Sequence, residues 1–151
     1  MPQGFPMSGS GIDGRISRTE MFMRIAETVA LRSTCKRAQV GAIVVVNDRP
    51  ISMGYNGAPS GLPHCLEVGC LMHNGHCIRT IHAEINAITF AARTGIPIEG
   101  GILYCTHAPC LECSKAITNA GIRAVVYKIN YGDGEGLKLL SKAGVDIVCF
   151  G

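Results

Sequence analysis

The sequence predicts an α/β fold in three layers, with a mixed sheet of about five strands and helices on both faces. Two observations carry that expectation. In the second half of the chain, apolar strand-like runs alternate with segments of helical periodicity, which implies parallel strands joined by right-handed crossovers. In the first half, "VGAIVVVNDRPISMGYNG" reads as an antiparallel hairpin, so the sheet is mixed. A chain of 151 residues suits one domain with a proper core. No repeat or boundary interrupts it, so residues 17–151 are expected to form a single domain after a flexible lead-in at 1–16, "MPQGFPMSGSGIDGRI".

The elements follow in order. From Arg18 to Leu31, Met21, Phe22, Ile25, Ala26, Val29 and Ala30 recur at helical spacing, with Ser17 or Thr19 as the cap. The hairpin comes next: an apolar strand from Val40 to Val46, an Asn-Asp turn, and a second strand from Pro50 to about Tyr55. Residues 58–79 show no periodicity, and so long a loop is usually functional or held by a staple. In "TIHAEINAITFAARTG", Ile81, Ile85, Ile88 and Ala92 share a helical face and Gly95 is the stop. "GGILYCT" is a buried strand, and "PCLECSKAITNAG" is a helix opened by Pro109 and closed at Gly121. "IRAVVYKI", a short helix from about Gly136 to Ala143, and "VDIVCF" complete the alternation.

Composition excludes several classes. With 47% hydrophobic and 17% charged residues, a disordered chain is ruled out. The longest apolar run, Val40 to Val46, is far too short to span a bilayer. No basic segment followed by an apolar one marks the N-terminus as a secretory signal. The expected location is therefore the cytoplasm, or a host's cytoplasm for a virus-encoded copy, with no membrane partner. The net charge of +3 suits an anionic small ligand, and no dense Lys/Arg patch invites nucleic acid. Eight cysteines interleaved with histidines in such a chain point to metal binding rather than to a disulfide scaffold.

Two fragments at helix starts carry chemistry: His82-Ala83-Glu84, and Pro109-Cys110-Leu111-Glu112-Cys113. Cys110 and Cys113 share one helical face, and the positive end of the helix dipole favours both as thiolates. His82 supplies a third ligand, and three ligands leave one tetrahedral position of a zinc ion open for reaction. Two thiolates and a neutral imidazole cancel the metal's charge, so a nearby base is needed, and Glu84 fits. Neither fragment alone is specific; together they form the signature of zinc-dependent nucleobase deaminases.

The chain resembles the cytidine deaminase-like superfamily, and within it the deoxycytidylate (dCMP) deaminases. The resemblance runs from about Arg32 to the C-terminus, on "RSTCKRAQVGAIVV", "GYNGAPSGLPHC", "GCLMHNGHCIRTIHAEINAI", "THAPCLECSKAITNAGI" and "VVY". It implies the three-layer deaminase fold, catalytic zinc on His82, Cys110 and Cys113, and Glu84 as the proton shuttle for hydrolysis of dCMP to dUMP and ammonia, which feeds thymidine nucleotide synthesis. By the same resemblance Asn56 would hydrogen-bond the deoxyribose and the Ala83 backbone would face the base; Tyr131, after the "VVYKIN" strand, is placed as a lid residue. For the phosphate, Lys36, Arg37, Arg79, Arg93, Lys115 and Lys128 are available and unranked. Enzymes of that family are typically hexamers, activated by dCTP and inhibited by dTTP, the triphosphate arriving with Mg2+. Tyr55, Asn56 and Gly57 are then the expected effector residues, although Gly54 and Gly57 could equally serve a tight strand exit.

The loop "PHCLEVGCLMHNGHC" is surplus to that chemistry. Either it binds a second, closed zinc that staples the loop, or it carries free thiols and solvent histidines. The density of ligands favours the staple, through Cys35 at the end of the first helix with Cys65, Cys70 and Cys77, and with His64, His73 or His76 as substitutes. Cys105 and Cys149 are expected in the core. Two rivals remain: a deaminase of tRNA adenosine or polynucleotide cytosine, which would want a basic groove, and a non-catalytic zinc module, which has no use for Glu84.

Overall fold

In a computed structural model of the chain, residues 13–151 are described; residues 1–12, most of the expected lead-in, lie outside the described residues. Helix α1 spans Arg18–Ala30, followed by strands β1 (Gly41–Val46) and β2 (Arg49–Tyr55). A one-turn helix α2 (Cys65–Val68) and two short strands, β3 (Met72–His73) and β4 (His76–Cys77), come next. The remainder is α3 (Ala83–Thr94), β5 (Ile102–His107), α4 (Leu111–Asn119), β6 (Ala124–Ile129), α5 (Glu135–Lys142) and β7 (Asp146–Cys149). Ser17, not Thr19, caps α1: its Oγ accepts from the Glu20 N–H at 3.1 Å.

The main sheet has five strands in the order β2-β1-β5-β6-β7. The β1–β2 and β1–β5 pairs are antiparallel, and β5–β6 and β6–β7 are parallel. Val46 pairs with Arg49 across a two-residue turn in which Asn47 and Asp48 take φ of 51° and 60°, the left-handed pair that a type I′ hairpin requires. Helices cover both faces. On one, Phe22, Met23, Ala26 and Val29 of α1 bury Ile43, Val45, Tyr104 and Val126. On the other, α3, α4 and α5 cover Ala42, Val44, Leu103 and Val125. Among the described residues no helix is long and apolar enough to cross a membrane.

The structure corrects four expectations. Met21 is exposed, and Met23 takes the buried position on α1. On α3 the buried stripe is Ala83, Ala87 and Ala91, while the isoleucines are only partly covered and Ala92 is exposed. The cause is Gly54 on β2: a Cβ there would lie 2.4 Å from the Ala83 carbonyl oxygen and 2.5 Å from the Ala87 nitrogen. The helix rests against bare strand backbone, and only small side chains fit the seam. The loop at 58–79 is not wholly irregular, since β3 and β4 form a hairpin around Asn74 and Gly75, both with positive φ. Cys149 is exposed, because β7 is the edge of the sheet, whereas Cys105 on the central β5 is buried as expected.

Candidate functional site

The two signature fragments meet where the N-termini of α3 and α4 come together beyond the end of β5. His82 is the residue immediately before α3, in extended conformation, and Cys110 is its counterpart before α4. Pro109 thus stands one residue before the cap rather than opening the helix. Because His82 is extended and Glu84 is already helical, the two side chains escape the helical spacing that would separate them. A bridge between Gly57 and Ile81 fixes the approach to His82: the Ile81 N–H donates to the Gly57 carbonyl at 2.8 Å, and the Gly57 N–H to the Ile81 carbonyl at 3.3 Å. Asn86 Nδ2 donates to the Tyr55 carbonyl at 2.9 Å, and Ser52 Oγ to the Ala87 carbonyl at 2.6 Å, so β2 pins α3 along its first turns.

His82 Nδ1 lies 3.2 Å from Cys113 Sγ and 3.5 Å from Cys110 Sγ, and the three ligand atoms all fall within 4.8 Å of one another. The Cys113 thiol hydrogen-bonds to the Cys110 sulfur and, helped by His82, lowers Cys110 to about 3, against the opposing effect of burial. Cys113 is raised by the same contact and then by burial. Donation of a hydrogen bond to the Cys110 sulfur raises the His82 pKa, against the opposing effect of burial. Soft sulfur and imidazole donors converging in this way are a donor set that fits zinc. Glu84 is 4% exposed, and burial raises its carboxyl above the ordinary range.

His82, Glu84 and Cys110 line a cleft of about 420 Å³, a size suited to a small ligand. Ala83, Asn56, Tyr131 and Arg37 also line it; Tyr55 and Gly57 do not. The Asn56 side chain is largely engaged with backbone: Oδ1 accepts from the Val40 N–H at 2.9 Å and Nδ2 donates to the Ala38 carbonyl at 2.8 Å. One Nδ2 hydrogen and one Oδ1 lone pair remain for a ligand. Tyr131 stands edge-on to His107, with ring centroids 5.8 Å apart. His107 also lines the cleft, and sequence reasoning passed over it although it lies two residues before Pro109. Burial lowers its pKa, keeping it neutral. Thr106 Oγ1 accepts from the Gly41 N–H at 3.1 Å and shares a hydrogen bond with His107 Nδ1 at 2.8 Å, which orients the ring.

A second cluster borders the first. The sulfurs of Cys35, Cys65, Cys70 and Cys77 lie within 4.8 Å of one another, and Cys65 and Cys77 are 3.5 Å apart. Four sulfurs on a tetrahedral zinc with bonds of about 2.3 Å would be separated by about 3.8 Å, so this set also fits the ion. Burial and the neighbouring sulfurs push Cys65 up to about 12. Burial opposes ionisation of Cys77 as well, but the backbone N–H groups beside it lower it to about 7. His64, His73 and His76 are not members of the cluster. Cys35 lies in the loop beyond α1, not on its end. Cys35 and Cys77 face the same cleft as Glu84.

The sequence profile of a family described as the cytidine and deoxycytidylate deaminase zinc-binding region matches residues 16–129. ComE operon protein 2 of Bacillus subtilis is 46% identical over 134 residues, which are 88% of this chain and 71% of that protein. Deoxycytidylate deaminase of Schizosaccharomyces pombe is 40% identical over 142 residues, 88% of this chain but only 44% of that protein's own length. The dCMP deaminase of cyanophage S-TIM5, solved in complex with dCMP and dUMP, superposes with a TM-score of 0.78 at 39% identity, covering 85% of this chain and 93% of that one.

Proposed function

The chain belongs to the cytidine and deoxycytidylate deaminase family, and from that premise we propose that it hydrolyses dCMP to dUMP and ammonia. It is thereby a deaminase acting on a cytosine nucleotide. The observation that carries the reading is a buried carboxyl, Glu84, beside three converging metal-ligand atoms in a cleft of nucleotide size.

His82, Cys110 and Cys113 would hold zinc, which when bound supplies Lewis-acid activation of water at neutral pH. Glu84 takes a proton from the attacking water, delivers it to N3 of the cytosine, and passes a further proton to the departing amine. Burial favours the protonated carboxyl between these transfers, which suits a group that must both accept and release. The Ala83 backbone and Asn56 would orient base and sugar, and Tyr131 packed on His107 also lines the cleft.

The cysteine cluster would hold a second, structural zinc that staples the β3–β4 hairpin to the loop after α1. The folded protein is then expected to contain two zinc ions per chain by elemental analysis, and Cys65→Ser one, with a lower thermal midpoint. A wild-type content of one zinc would remove the staple. Activation by dCTP and inhibition by dTTP, each with Mg2+, would act through residues 55–57. That segment is bonded directly to Ile81 and Asn86, on either side of His82 and Glu84. A homohexamer in the cytoplasm completes the proposal.

The test is ammonia release with dCMP, deoxycytidine and dCTP in parallel, each with and without trace dCTP. The expected result is fastest turnover of dCMP, raised further by dCTP. No turnover of any of the three by zinc-loaded protein would overturn the reading and turn attention to tRNA or single-stranded nucleic acid.

A further inference from the structure

We propose that Arg37 selects a phosphorylated substrate, its guanidinium pairing with the 5′-phosphate of a nucleoside monophosphate at the wall of the catalytic cleft; this rests on the function proposed above. Of the chain's 14 lysines and arginines, Arg37 is the one that lines the cleft. The other cations nominated from sequence are otherwise placed. Arg79 donates from Nε to the Gly69 carbonyl at 2.9 Å, Lys115 binds Glu112 at 2.9 Å, and Lys128 binds Glu27 at 3.3 Å. Arg93 sits in the last turn of α3, about 16 Å along the helix from His82. Lys36 is adjacent in sequence but is not on the wall.

Arg37 is exposed and has no carboxylate partner among the described residues. Its single hydrogen bond, from Nη2 to the Gly75 carbonyl, is a weak one at 3.5 Å. A guanidinium has five N–H donors in a planar fork, so two parallel donors remain for a phosphate. Glu84 is the one carboxylate lining the cleft, and it belongs to the catalytic cluster. The ionisable thiols on the wall, those of Cys110, Cys35 and Cys77, belong to the two candidate metal clusters.

The arginine is also held in place. Cys35, two residues before it, and Cys77, two residues after Gly75, belong to the cysteine cluster. Asn56 grips the Ala38 carbonyl on the other side. The segment bearing Arg37 and the hairpin tip it touches thus both contribute to one four-sulfur cluster, and an ion held there would reduce what is lost in ordering the guanidinium on the ligand. This gives the cysteine-rich loop a role in substrate choice as well as in stability.

The test compares kcat/KM for dCMP and for deoxycytidine in the wild type, Arg37→Ala, Arg37→Lys and, as control, Arg93→Ala. Calorimetric titration with dUMP and with deoxyuridine runs alongside. Arg37→Ala is expected to lower the dCMP-to-deoxycytidine ratio by roughly ten- to a hundredfold, mainly through KM for dCMP, and to weaken dUMP by a similar factor. Arg37→Lys should keep part of the preference, and Arg93→Ala all of it. An unchanged ratio and unchanged dUMP affinity in folded Arg37→Ala would overturn the proposal, as would a wild type with no preference for the phosphorylated ligand. If the wild type deaminates neither compound, the proposed function falls, and the dUMP titration still decides whether Arg37 binds phosphate.

Discussion

Replacing Glu84 by glutamine should lower dCMP turnover by about 10²–10⁴-fold while the zinc content of the protein stays the same. The amide is nearly the same size and shape, so the packing around this buried position is kept. What it loses is the capacity to take a proton from water and give it to the ring nitrogen and the leaving amine. His82, Cys110 and Cys113 are untouched by the change and should hold zinc as before. The variant should also be no less stable. Burial raises the Glu84 carboxyl above its unfolded value, so its ionisation costs stability as pH climbs through that range, and the neutral amide is relieved of this cost. Ammonia release, zinc analysis and a thermal melt on the same preparation provide the check. Full activity in Glu84→Gln would mean that Glu84 is not the proton carrier of the reaction.

Gly54→Ala is expected to be strongly damaging for a single added methyl, as its analogues at Gly41 and Gly136 would be. Its Cβ would stand 2.4 Å from the Ala83 oxygen, 2.5 Å from the Ala87 nitrogen and 2.8 Å from the Asn86 Cβ. Two of these are backbone atoms of the helix that carries Glu84 and follows His82, and no side-chain rotation relieves them. Either the fold absorbs the strain, at a cost of about 3 kcal/mol or more, or α3 moves away from β2 and takes its N-terminus with it. We expect a lower midpoint in denaturant titration together with weaker zinc retention. Gly57→Ala, whose Cβ would meet the Thr34 hydroxyl at 3.1 Å, serves as the milder comparison. A midpoint equal to the wild type's would show that α3 has room to spare and would remove the account of its alanine seam.

The same seam shows where sequence periodicity misleads. Ile85 and Ile88 look like the core face of α3 because apolar size and helical spacing agree. Burial follows the neighbour instead: a strand that presents glycine draws the helix so close that alanines 83, 87 and 91 occupy the contact. In the cysteine-rich loop the Asn74-Gly75 dipeptide was a legible hairpin signal, but the strands beside it are only two residues long and leave no alternation to see. Cys149 has an apolar strand around it and is nonetheless exposed, since the edge position of β7 is a property of strand order rather than of local composition.

The order of the main helices and strands, the Asn47-Asp48 turn, a cap at Ser17 or Thr19 and the pairing of His82 and Glu84 with Cys110 and Cys113 at helix starts were legible in the sequence alone. Each depends on residues within a few positions of one another, where backbone geometry and side-chain chemistry act locally. Tertiary structure decided that Ser17 rather than Thr19 caps α1, that no histidine substitutes in the favoured set of Cys35, Cys65, Cys70 and Cys77, that His107 faces the cleft, and that Arg37 alone among the cations reaches it. The last three outcomes depend on how far β2 lets α3 approach and on where the hairpin folds back. They are set by contacts between segments remote in the chain, which local spacing does not encode.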